Sequence, residues 1–513
     1  MNSKQRLHRL ILPCGLSMLL VLSSATLATE EGTPAPGAPA PASDLTSERK
    51  IVTIEGGTTV EVEAGTLQVP ENRKRPGKAK ITIPYYRLRT EAEKPAPTVF
   101  LLAGGPGSSW IERFENEENF AEVTFYQQFA DVVLFDQRGG GLSTPSMDCE
   151  ERDRLAPDEP LDLNELGESM RRLAAQCRDR WRAEGIDLSA YNTDENAADV
   201  DALRRALGYE RISLVGGSYG SHLALHMLRR YPDVVERAML YGIEGPDHTW
   251  DGPGAMLATL ERIAAVAEAS EELGPRIPEE GLIATLKGVQ ERLAEEPVPV
   301  TLRRGEQEMT VVVDSTAVQF IARHRAGRRS DPNFWPELIL AMAEGDFSLA
   351  ARGAMALRGV RLQDPMHYMM DCASGISTER RQNYLADPAS GVLGNLNFEY
   401  TTLCEVWDAP DLGPVFRADV PSDIPVLIFH GTWDTSTPID NAREVTAALT
   451  NGHLVEVVGG THGALYNLYA DWPPMHDLVR AFLTGEAIDP PASVELPAVT
   501  FRAPTEPETV PAR

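Results

Sequence analysis

One serine stands at the junction between a strand-like run and a helix-like run. Residues 212–230 read ISLVGGSYGSHLALHMLRR, with Ser218 between glycines. The apolar run up to Val215 predicts a strand, and the spacing after Gly220 predicts a helix. In the pattern G-x-S-x-G, small residues permit a sharp turn that exposes the hydroxyl, and bulk at Gly216 or Gly220 would clash across it. We therefore predict that Ser218 is a nucleophile, while glycine-rich strand ends also occur for packing reasons alone.

A serine hydroxyl attacks only when a base removes its proton, so a histidine oriented by a carboxylate is required. At such a turn, the acid and then the histidine follow later in the chain, on loops after strands. Asp434 follows the strand-like run PVLIFHGTW, and His462 follows LVEVVGGT. Either residue alone could be a turn aspartate or a solvent-facing histidine. Their order and positions predict a triad of Ser218, Asp434 and His462.

The tetrahedral intermediate of acyl transfer also needs hydrogen-bond donors for its oxyanion. The run LLAGGPGSS, residues 101–109, follows a strand-like segment and exposes backbone N–H groups through small residues. We predict Gly105 as the first donor, with Gly104 as the next choice, and the N–H of Tyr219 as the second donor. The alternative is a tight Gly-Pro-Gly turn that binds nothing.

The other histidines do not form a metal site by their spacing. His222 and His226 are four residues apart on the predicted helix, but no third ligand has suitable local spacing. We expect neither a metal nor a cofactor. His430 precedes Gly431, so it either lines the pocket or satisfies a backbone group. Three further histidines could contact substrate: His248, His324 and His367.

Length and charge limit the classes of function. The chain has 513 residues, of which 42% are hydrophobic, which is enough for a substantial core. Its formal net charge is −28. A phosphate backbone or an anionic membrane would be repelled by such a surface, so we expect no nucleic-acid partner.

The N-terminal residues predict export. Lys4, Arg6 and Arg9 precede an apolar run that is too short to span a bilayer, and small residues follow it. We interpret residues 1–28 as a signal peptide, with a lipoprotein signal at Cys14 as the alternative. Residues 29–49 are rich in Pro and Ala and read as a linker. The expected location is periplasmic or extracellular, without integral membrane association after cleavage.

Cysteine usage agrees with an oxidising compartment. Beyond Cys14, the four cysteines are Cys149, Cys177, Cys372 and Cys404, and they lack the close pairs of a zinc site. Four cysteines permit three pairings. We favour Cys149–Cys177 and Cys372–Cys404 because each pair lies within one segment, and isolated buried thiols are the alternative.

The pattern of elements predicts an α/β fold with a helical insertion. Residues 50–246 alternate strand-like and helix-like runs, which is typical of a mostly parallel sheet covered by helices. Helical patterns dominate residues 247–415, apart from a hairpin in VPVTLRRGEQEMTVVVD. Strand patterns return in residues 416–485, and residues 486–513 read as a tail. The insertion therefore separates a nucleophile half from an Asp/His half of one sheet.

Five motifs occur in an order that resembles one known family. As a set they resemble the α/β-hydrolases of the proline iminopeptidase and tripeptidyl aminopeptidase (TAP-like) serine peptidase family. The motifs are AGGPG at 103–107, DQRGGGLS at 136–143, GGSYG at 216–220, GTWD at 431–434 and GGTHG at 459–463. The resemblance implies a peptidase that releases N-terminal residues or short peptides beneath a helical cap. Ala103 departs from the HGGPG of proline iminopeptidases, and the length and cysteines resemble the tripeptidyl aminopeptidase branch.

Three further side chains follow from this interpretation. Glu244 follows a strand where the cap begins, so its carboxylate could bind the α-amine of a peptide, and an exposed loop glutamate is the alternative. Asp136 and Arg138 resemble family positions near the mouth of the active site, but an ion pair between them that fixes a loop is the favoured interpretation.

The expected function is that of a secreted serine hydrolase, an aminopeptidase acting through an acyl-enzyme on a peptide substrate. The alternatives are an esterase acting on small esters and a catalytically silent binding protein. The number of residues released and the oligomeric state stay open.

Overall fold

A computed structural model describes residues 44–502 except Lys78, residues 305–306, 324–325 and 327, and Gln363. The expected signal peptide, Cys14, most of the expected linker, His324 and the end of the expected tail lie outside the described residues.

Ten of the described strands form one sheet in the order β1-β2-β3-β5-β4-β7-β8-β12-β13-β14. The three strands at one end run antiparallel to their neighbours, and the seven from β5 to β14 are parallel. The strands are β1 Glu48–Thr53, β2 Thr59–Pro70, β3 Lys80–Leu88, β4 Ala96–Leu102, β5 Ala130–Phe135, β6 Arg152–Arg154, β7 Ile212–Ser218, β8 Val235–Ile243, β9 Val298–Arg304, β10 Gln307–Val313, β11 Gly359–Arg361, β12 Val426–Gly431, β13 Gly452–Val458 and β14 Ser493–Glu495.

The central strands are apolar on both faces because helices cover both. In β4, Phe100 and Leu102 belong to one hydrophobic cluster, whereas Val99 and Leu101 belong to the other. Such double burial explains the continuous apolar runs of these strands. The mostly parallel, helix-covered sheet predicted from the sequence is confirmed.

Helices occupy both faces of the sheet and the insertion. Their bounds are α1 Trp110–Arg113, α2 Glu117–Gln127, α3 Leu163–Ala183, α4 Thr193–Ala206, α5 Tyr219–Arg230, α6 Pro253–Glu268, α7 Leu282–Glu295, α8 Ser315–Ala322, α9 Phe334–Glu344, α10 Ser348–Leu357, α11 Pro365–Ser374, α12 Thr378–Leu385, α13 Ser390–Leu393, α14 Phe398–Trp407, α15 Gly413–Arg417, α16 Ile439–Ala447, α17 Ala464–Asp471 and α18 Met475–Thr484. Within the described ranges, no helix is both long and apolar enough to cross a bilayer.

The insertion between β8 and β12 is a helical cap. It contains α6 to α15 and the predicted hairpin, which is β9 paired with β10. Buried cap residues such as Leu260, Leu286 and Trp335 share one hydrophobic cluster with one face of the sheet. The cap is therefore packed onto the sheet by a continuous hydrophobic interior rather than tethered by a loop.

The structure differs from the sequence pattern in three places. The run from Pro336 to Leu357 reads as one helix but forms α9 and α10, because Gly345 adopts a φ of 95° that ends α9. The sheet also reaches into the segments expected to be linker and tail. Strand β1 begins at Glu48 and has one buried residue, Val52, so its hydrophobic pattern is weak. Strand β14 is three residues long and pairs with β13.

Two disulfide bonds cross-link the described part of the chain. Cys149 bonds Cys177, and Cys372 bonds Cys404, with Cα–Cα distances of 5.7 and 5.2 Å. The favoured pairing is confirmed. The second bridge joins α11 to α14 inside the cap.

Candidate active site

Ser218 occupies the sharp turn between β7 and α5. Its φ of 55° and ψ of −131° are sparsely populated for a residue with a side chain, which is typical of strain stored at a functional site. The flanking glycines make the turn possible. A Cβ on Gly216 would lie 2.5 Å from the carbonyl oxygen of Gly220, and a Cβ on Gly220 would lie 2.3 Å from that of Leu102. The predicted clash at both positions is confirmed.

Asp434 and His462 are hydrogen-bonded to each other. The Nδ1 atom of His462 lies 2.9 Å from Oδ2 and 3.1 Å from Oδ1 of Asp434. The acid follows β12, and the histidine follows β13, so parallel neighbouring strands deliver both to the same edge of the sheet. Because a carboxylate only accepts hydrogen bonds, Nδ1 carries the proton, and Nε2 is left to act as a base.

Asp434 is fully buried and heavily hydrogen-bonded. Burial alone would raise its pKa, but His462 and the backbone N–H of Thr437 lower it to about 2. The N–H groups of Ser436 and Thr437 each donate to Oδ1 at 2.9 Å, and the Thr437 hydroxyl donates to Oδ2 at 2.8 Å. Sequence reasoning missed Thr437, although a threonine three residues after the acid, in DTST, is the signal that could have found it.

His462 lies beside the end of β8, the strand that pairs with the one ending at Ser218. A Cβ on Gly242 would lie 2.9 Å from Cε1 of His462, so the ring packs directly against this glycine. The following residue, Ile243, is the strand-register partner of Ser218. Burial lowers the pKa of His462, but the Asp434 carboxylate outweighs burial and raises this pKa above its ordinary value.

The predicted oxyanion loop follows β4, which lies beside β7 in the sheet. Strand β5, which follows β4 in the chain, lies on one side of β4, and β7 lies on its other side. A reversal of strand order of this kind opens a crevice at the carboxyl ends of the strands. A Cβ on Gly104 would lie 3.2 Å from Cβ and 3.8 Å from Oγ of Ser218. The loop thus contacts Ser218, and Tyr219 begins α5, where the first backbone N–H groups have no partner within the helix.

The DQRGGG loop supports the oxyanion loop from behind. The N–H of Gly141 donates to the carbonyl of Gly107 at 3.2 Å. Asp136 accepts from Ser109 and from the N–H of Ile111, so it fixes the start of α1. The expected Asp136–Arg138 ion pair is wrong, because Arg138 turns away.

Arg138 fastens a different part of the core. Its guanidinium is fully buried and pairs with Asp199 at 2.8 Å. It also donates to the carbonyls of Glu71 and Ala190, both at 2.7 Å. The planar guanidinium has five N–H donors in fixed positions, so one side chain can bond several acceptors at once. Arg138 therefore joins three segments of the chain.

Three histidines near the site bond to backbone or side-chain groups. His430 accepts from the N–H of Ile243 at 3.0 Å, and its Nε2 lies 2.7 Å from the carbonyl of Thr437. It therefore satisfies backbone groups, one of the two expectations. His226 pairs with Asp194 on α4, and His248 accepts from the N–H of Gly245.

Glu244 is buried rather than exposed in a loop. Its N–H donates to the Ser221 hydroxyl at 2.9 Å, and that hydroxyl donates to the carbonyl of Ser218 at 2.7 Å. Two hydrogen bonds thus link the backbone of Glu244 to that of Ser218. Its Oε1 atom and Oδ1 of Asp371 are both buried without a hydrogen-bond partner among the described residues.

The neighbouring His222 carries no positive charge that could balance the Glu244 carboxylate. Nδ1 of His222 lies 3.7 Å from Oε1 of Glu244, and its Nε2 lies 3.1 Å from Oγ of Ser374, on the same helix as Asp371. Burial lowers the pKa of His222 to about 3, so it is neutral. Burial first, and then Asp371 and Asp251, raise the pKa of Glu244 well above its ordinary value.

A cavity of about 310 Å³ lies between the cap and the acid loop. Acidic, basic and aromatic side chains line it together. The lining is Asp251, Met256, Arg323, His367, Tyr368, Leu396, Glu399, Tyr400, Thr435 and Ser436. Burial raises the pKa of Asp251 to about 7, which exceeds the opposing effect of Arg323. The space is large enough for a small side chain or dipeptide, so it is a candidate substrate pocket.

Within the described ranges, one group of side chains has the compactness of a metal site. Cys149, Glu151 and Cys177 place their ligand atoms within 4.8 Å of one another. The two sulfurs are joined as a disulfide, so neither is available as a thiolate ligand.

Two stretches of the chain match known families. Residues 97–263 match the family described as alpha/beta hydrolase fold, and residues 391–491 match the family described as TAP-like protein. The chain contains an α/β-hydrolase domain and a TAP-like region. Ser218 and the loop after β4 belong to the hydrolase domain, whereas Asp434 and His462 belong to the TAP-like region. The family resemblance predicted from the motifs is confirmed.

Relatives of this hydrolase have peptidase names at low identity. Serine protease Hip1 of Mycobacterium tuberculosis is 28% identical over 205 residues, which are 38% of this chain and 38% of that protein. Tripeptidyl aminopeptidase of Streptomyces lividans is 27% identical over 199 residues, or 37% of each chain. Proline iminopeptidase of Xylella fastidiosa is 28% identical over 181 residues, 32% of this chain and 43% of that protein. The chain thus matches less than half the length of these relatives.

Proposed function

We propose that this hydrolase is a serine aminopeptidase that removes N-terminal residues or short peptides. The observation that carries the proposal is the pair of buried carboxyl groups of Glu244 and Asp371, each with an oxygen that has no hydrogen-bond partner in the described part of the chain. Burial raises the pKa of both carboxyl groups, and a substrate ammonium would supply the positive charge and the N–H donors that favour their ionised forms. The aminopeptidase names of the relatives agree with a site of this kind.

The proposed chemistry follows from the placement of Ser218, Asp434 and His462. His462 takes the proton of the Ser218 hydroxyl, which attacks the scissile carbonyl. The N–H of Tyr219 and that of Gly105, or alternatively Gly104, stabilise the oxyanion. His462 then gives the proton to the leaving amine, and a water molecule hydrolyses the acyl-enzyme by the same route. The Asp434 carboxylate holds the imidazole in the required tautomer and stabilises the imidazolium.

Export belongs to the same proposal. Two disulfides favour an oxidising compartment, since reducing cytosol keeps most thiols free. The charge and apolar pattern of residues 1–28 adds support from the sequence. The periplasm or the extracellular space is the proposed location.

The test compares three substrates, each of which releases a coloured leaving group. They are a peptide 4-nitroanilide with a free amine, its N-acetyl derivative and 4-nitrophenyl acetate. A charge-assisted hydrogen bond to the ammonium contributes about 1.5–3 kcal/mol, so acetylation should lower kcat/KM about ten- to a hundredfold. Replacing Glu244 by Gln should narrow that gap. The matched control is Glu279→Gln, which changes an exposed glutamate of the cap.

The outcomes separate the alternatives. If the native enzyme cleaves acetylated and free peptides equally well, the aminopeptidase proposal fails. Fast hydrolysis of 4-nitrophenyl acetate with little peptide cleavage would favour the esterase instead. If Ser218→Ala keeps full activity, the measured hydrolysis does not depend on Ser218, and this result would favour a catalytically silent binding protein.

A further inference from the structure

A histidine of the cap contacts the proposed oxyanion loop. Nδ1 of His367, on α11, lies 2.9 Å from the carbonyl oxygen of Gly105. Because a carbonyl only accepts, Nδ1 carries a proton and donates it there. The preceding residue, Met366, packs against Gly107, since a Cβ placed on this glycine would lie 3.3 Å from the Cβ of Met366. Helix α11 is therefore fastened to the loop by a polar and an apolar contact.

The same histidine is connected to the proposed amine site. Its Nε2 lies 3.0 Å from the Tyr400 hydroxyl, and that hydroxyl donates to Oδ2 of Asp371 at 2.8 Å. The Tyr400 ring stacks on His367 and on Trp250, with both centroid distances at 6.0 Å. Hydrogen bonds thus run without a gap from the Gly105 carbonyl to a carboxylate beside Glu244.

Counting protons along this path leaves two arrangements. The Tyr400 hydroxyl has one proton, so when it donates to ionised Asp371, it must accept from Nε2–H of His367, which is then an imidazolium. In the other arrangement, one proton moves from His367 through Tyr400 to Asp371, and both end groups are neutral. The total charge is the same in both. They differ in whether a positive charge lies beside the oxyanion loop.

We propose that His367 is a positioning residue that couples binding of the substrate amine at Asp371 to the oxyanion loop at Gly105. The inference rests on the proposed function, because it takes Glu244 and Asp371 as the amine site. An ammonium at that site favours ionised Asp371 and therefore the imidazolium form of His367. The cation then holds the loop through Gly105 and stabilises the negative charge that develops in the transition state.

Other charged groups surround the histidine but do not replace this path. Asp251, Glu399 and Arg323 line the same cavity, and Asp364 immediately precedes α11. Burial lowers the pKa of His367, whereas Asp371, Gly105, Asp251 and Asp364 raise it, and the rise prevails. The described hydrogen bonds of the ring go to Gly105 and Tyr400.

The experiment separates the two ends of the path. His367→Asn retains a donor where Nδ1 lies but cannot reach Tyr400. His367→Gln places its amide toward Tyr400 and leaves Gly105 without a donor. Tyr400→Phe keeps the ring stacking and removes the hydroxyl that bridges His367 to Asp371, so that only the longer 3.5 Å approach of Nε2 to Oδ2 of Asp371 is left. Tyr384→Phe, which removes a cap hydroxyl that accepts from Arg380, is the matched control. Each variant is measured for kcat and KM on 4-nitrophenyl acetate and on free-amine and N-acetyl peptide 4-nitroanilides.

Coupling predicts a pattern in kcat rather than in KM. Tyr400→Phe and His367→Asn should each lower the kcat ratio of free-amine to N-acetyl peptide about tenfold, and Tyr384→Phe should not change it. On the ester, His367→Gln and His367→Ala should lose about tenfold in kcat, and His367→Asn should recover most of that loss. Equal ester kcat in His367→Ala and the native enzyme would overturn the positioning role.

Failure of this inference differs from failure of the proposed function. If the native enzyme shows no preference for free amines, the aminopeptidase proposal falls, and the coupling falls with it. If the preference exists but survives intact in Tyr400→Phe, the coupling alone is overturned. Circular dichroism and the melting temperature of each variant establish folding, and Tyr400→Phe decides the coupling should the His367 variants fail to fold.

Discussion

At the scale of single residues, the hydroxyl of Thr437 has a role that the motif GTWD does not reveal. It donates to Oδ2 of Asp434 and lies 3.2 Å from Nδ1 of His462, so it touches both members of the acid–base pair. A buried carboxylate relies on every donor around it, because unpaired lone pairs in a low dielectric are costly. Orientation of His462 therefore depends on Thr437 as well as on Asp434.

We predict that Thr437→Val lowers kcat about tenfold or more, because a hydrogen bond to a charged group contributes about 1.5–3 kcal/mol. The shape of the side chain is preserved, but the buried Asp434 carboxylate loses a donor, so the melting temperature should also fall. Steady-state kinetics on 4-nitrophenyl acetate measures the effect. The control is Thr310→Val on the exposed face of β10, and equal kcat in both variants would contradict the role of Thr437.

The pH dependence of ester hydrolysis should report His462. Neutral imidazole is the base, so kcat/KM should rise with pH through the histidine pKa, and the Asp434 carboxylate places that pKa above the ordinary value of about 6.5. In Asp434→Asn the raising charge is gone while burial remains. The midpoint should then move to lower pH, and kcat should fall by orders of magnitude.

An uncharged ester is the right substrate for this measurement because it carries no amine that titrates. The Glu244→Gln variant serves as control, since Glu244 also has a raised pKa. A rising limb that disappears in Glu244→Gln would assign the titration to the glutamate and not to His462.

At the scale of elements, the turn between β7 and α5 depends on glycines that meet backbone atoms. Gly220→Ala places a Cβ 2.3 Å from the carbonyl oxygen of Leu102, which lies on a central strand and cannot move aside. We predict loss of activity and lower stability, measured by kcat and by the free energy of unfolding.

A glycine in open surroundings provides the contrast. A Cβ on Gly288, inside α7, would meet no heavy atom within 4 Å. Gly288→Ala should raise the free energy of unfolding by up to about 1 kcal/mol and leave kcat unchanged, because alanine is the better helix former. Similar effects of the two substitutions would contradict the backbone clash at the turn.

At the scale of the whole molecule, the two disulfides should stabilise the fold similarly but affect activity differently. Their sequence separations are 28 and 32 residues, and loops of this size correspond to about 3–4 kcal/mol in the chain-entropy treatment. Only Cys372–Cys404 joins α11 to α14, the helices that carry His367, Asp371 and Tyr400.

We predict that replacing Cys372 and Cys404 by Ser lowers both the free energy of unfolding and the kcat on free-amine peptides. The same change at Cys149 and Cys177 should lower the free energy of unfolding and spare kcat where the variant is folded. Urea unfolding and kinetics at one temperature test both statements. Thiol labelling of the unfolded, unreduced native protein should find none of these four cysteines free, and four reactive thiols would contradict the pairing.

Apolar runs, glycines and motif order in the sequence were enough to predict the mostly parallel sheet, and they also supplied the residues of the proposed triad. These features are local, since a continuous apolar run predicts a doubly covered strand and small residues predict a sharp turn. The sequence also favoured the correct disulfide pairing, because each bridge closes a short interval of chain.

Contacts between side chains that are distant in sequence became visible in the folded structure alone. The burial of Glu244 beside Asp371, the turn of Arg138 toward Asp199 and the contact of His367 with Gly105 all join residues far apart in sequence. No periodicity records such meetings, because they depend on how the cap packs on the ends of the strands. The edge strand β1 was not predicted from the sequence for a related reason. One buried residue in six leaves almost no hydrophobic pattern, and the strand is held in the sheet by its pairing with β2.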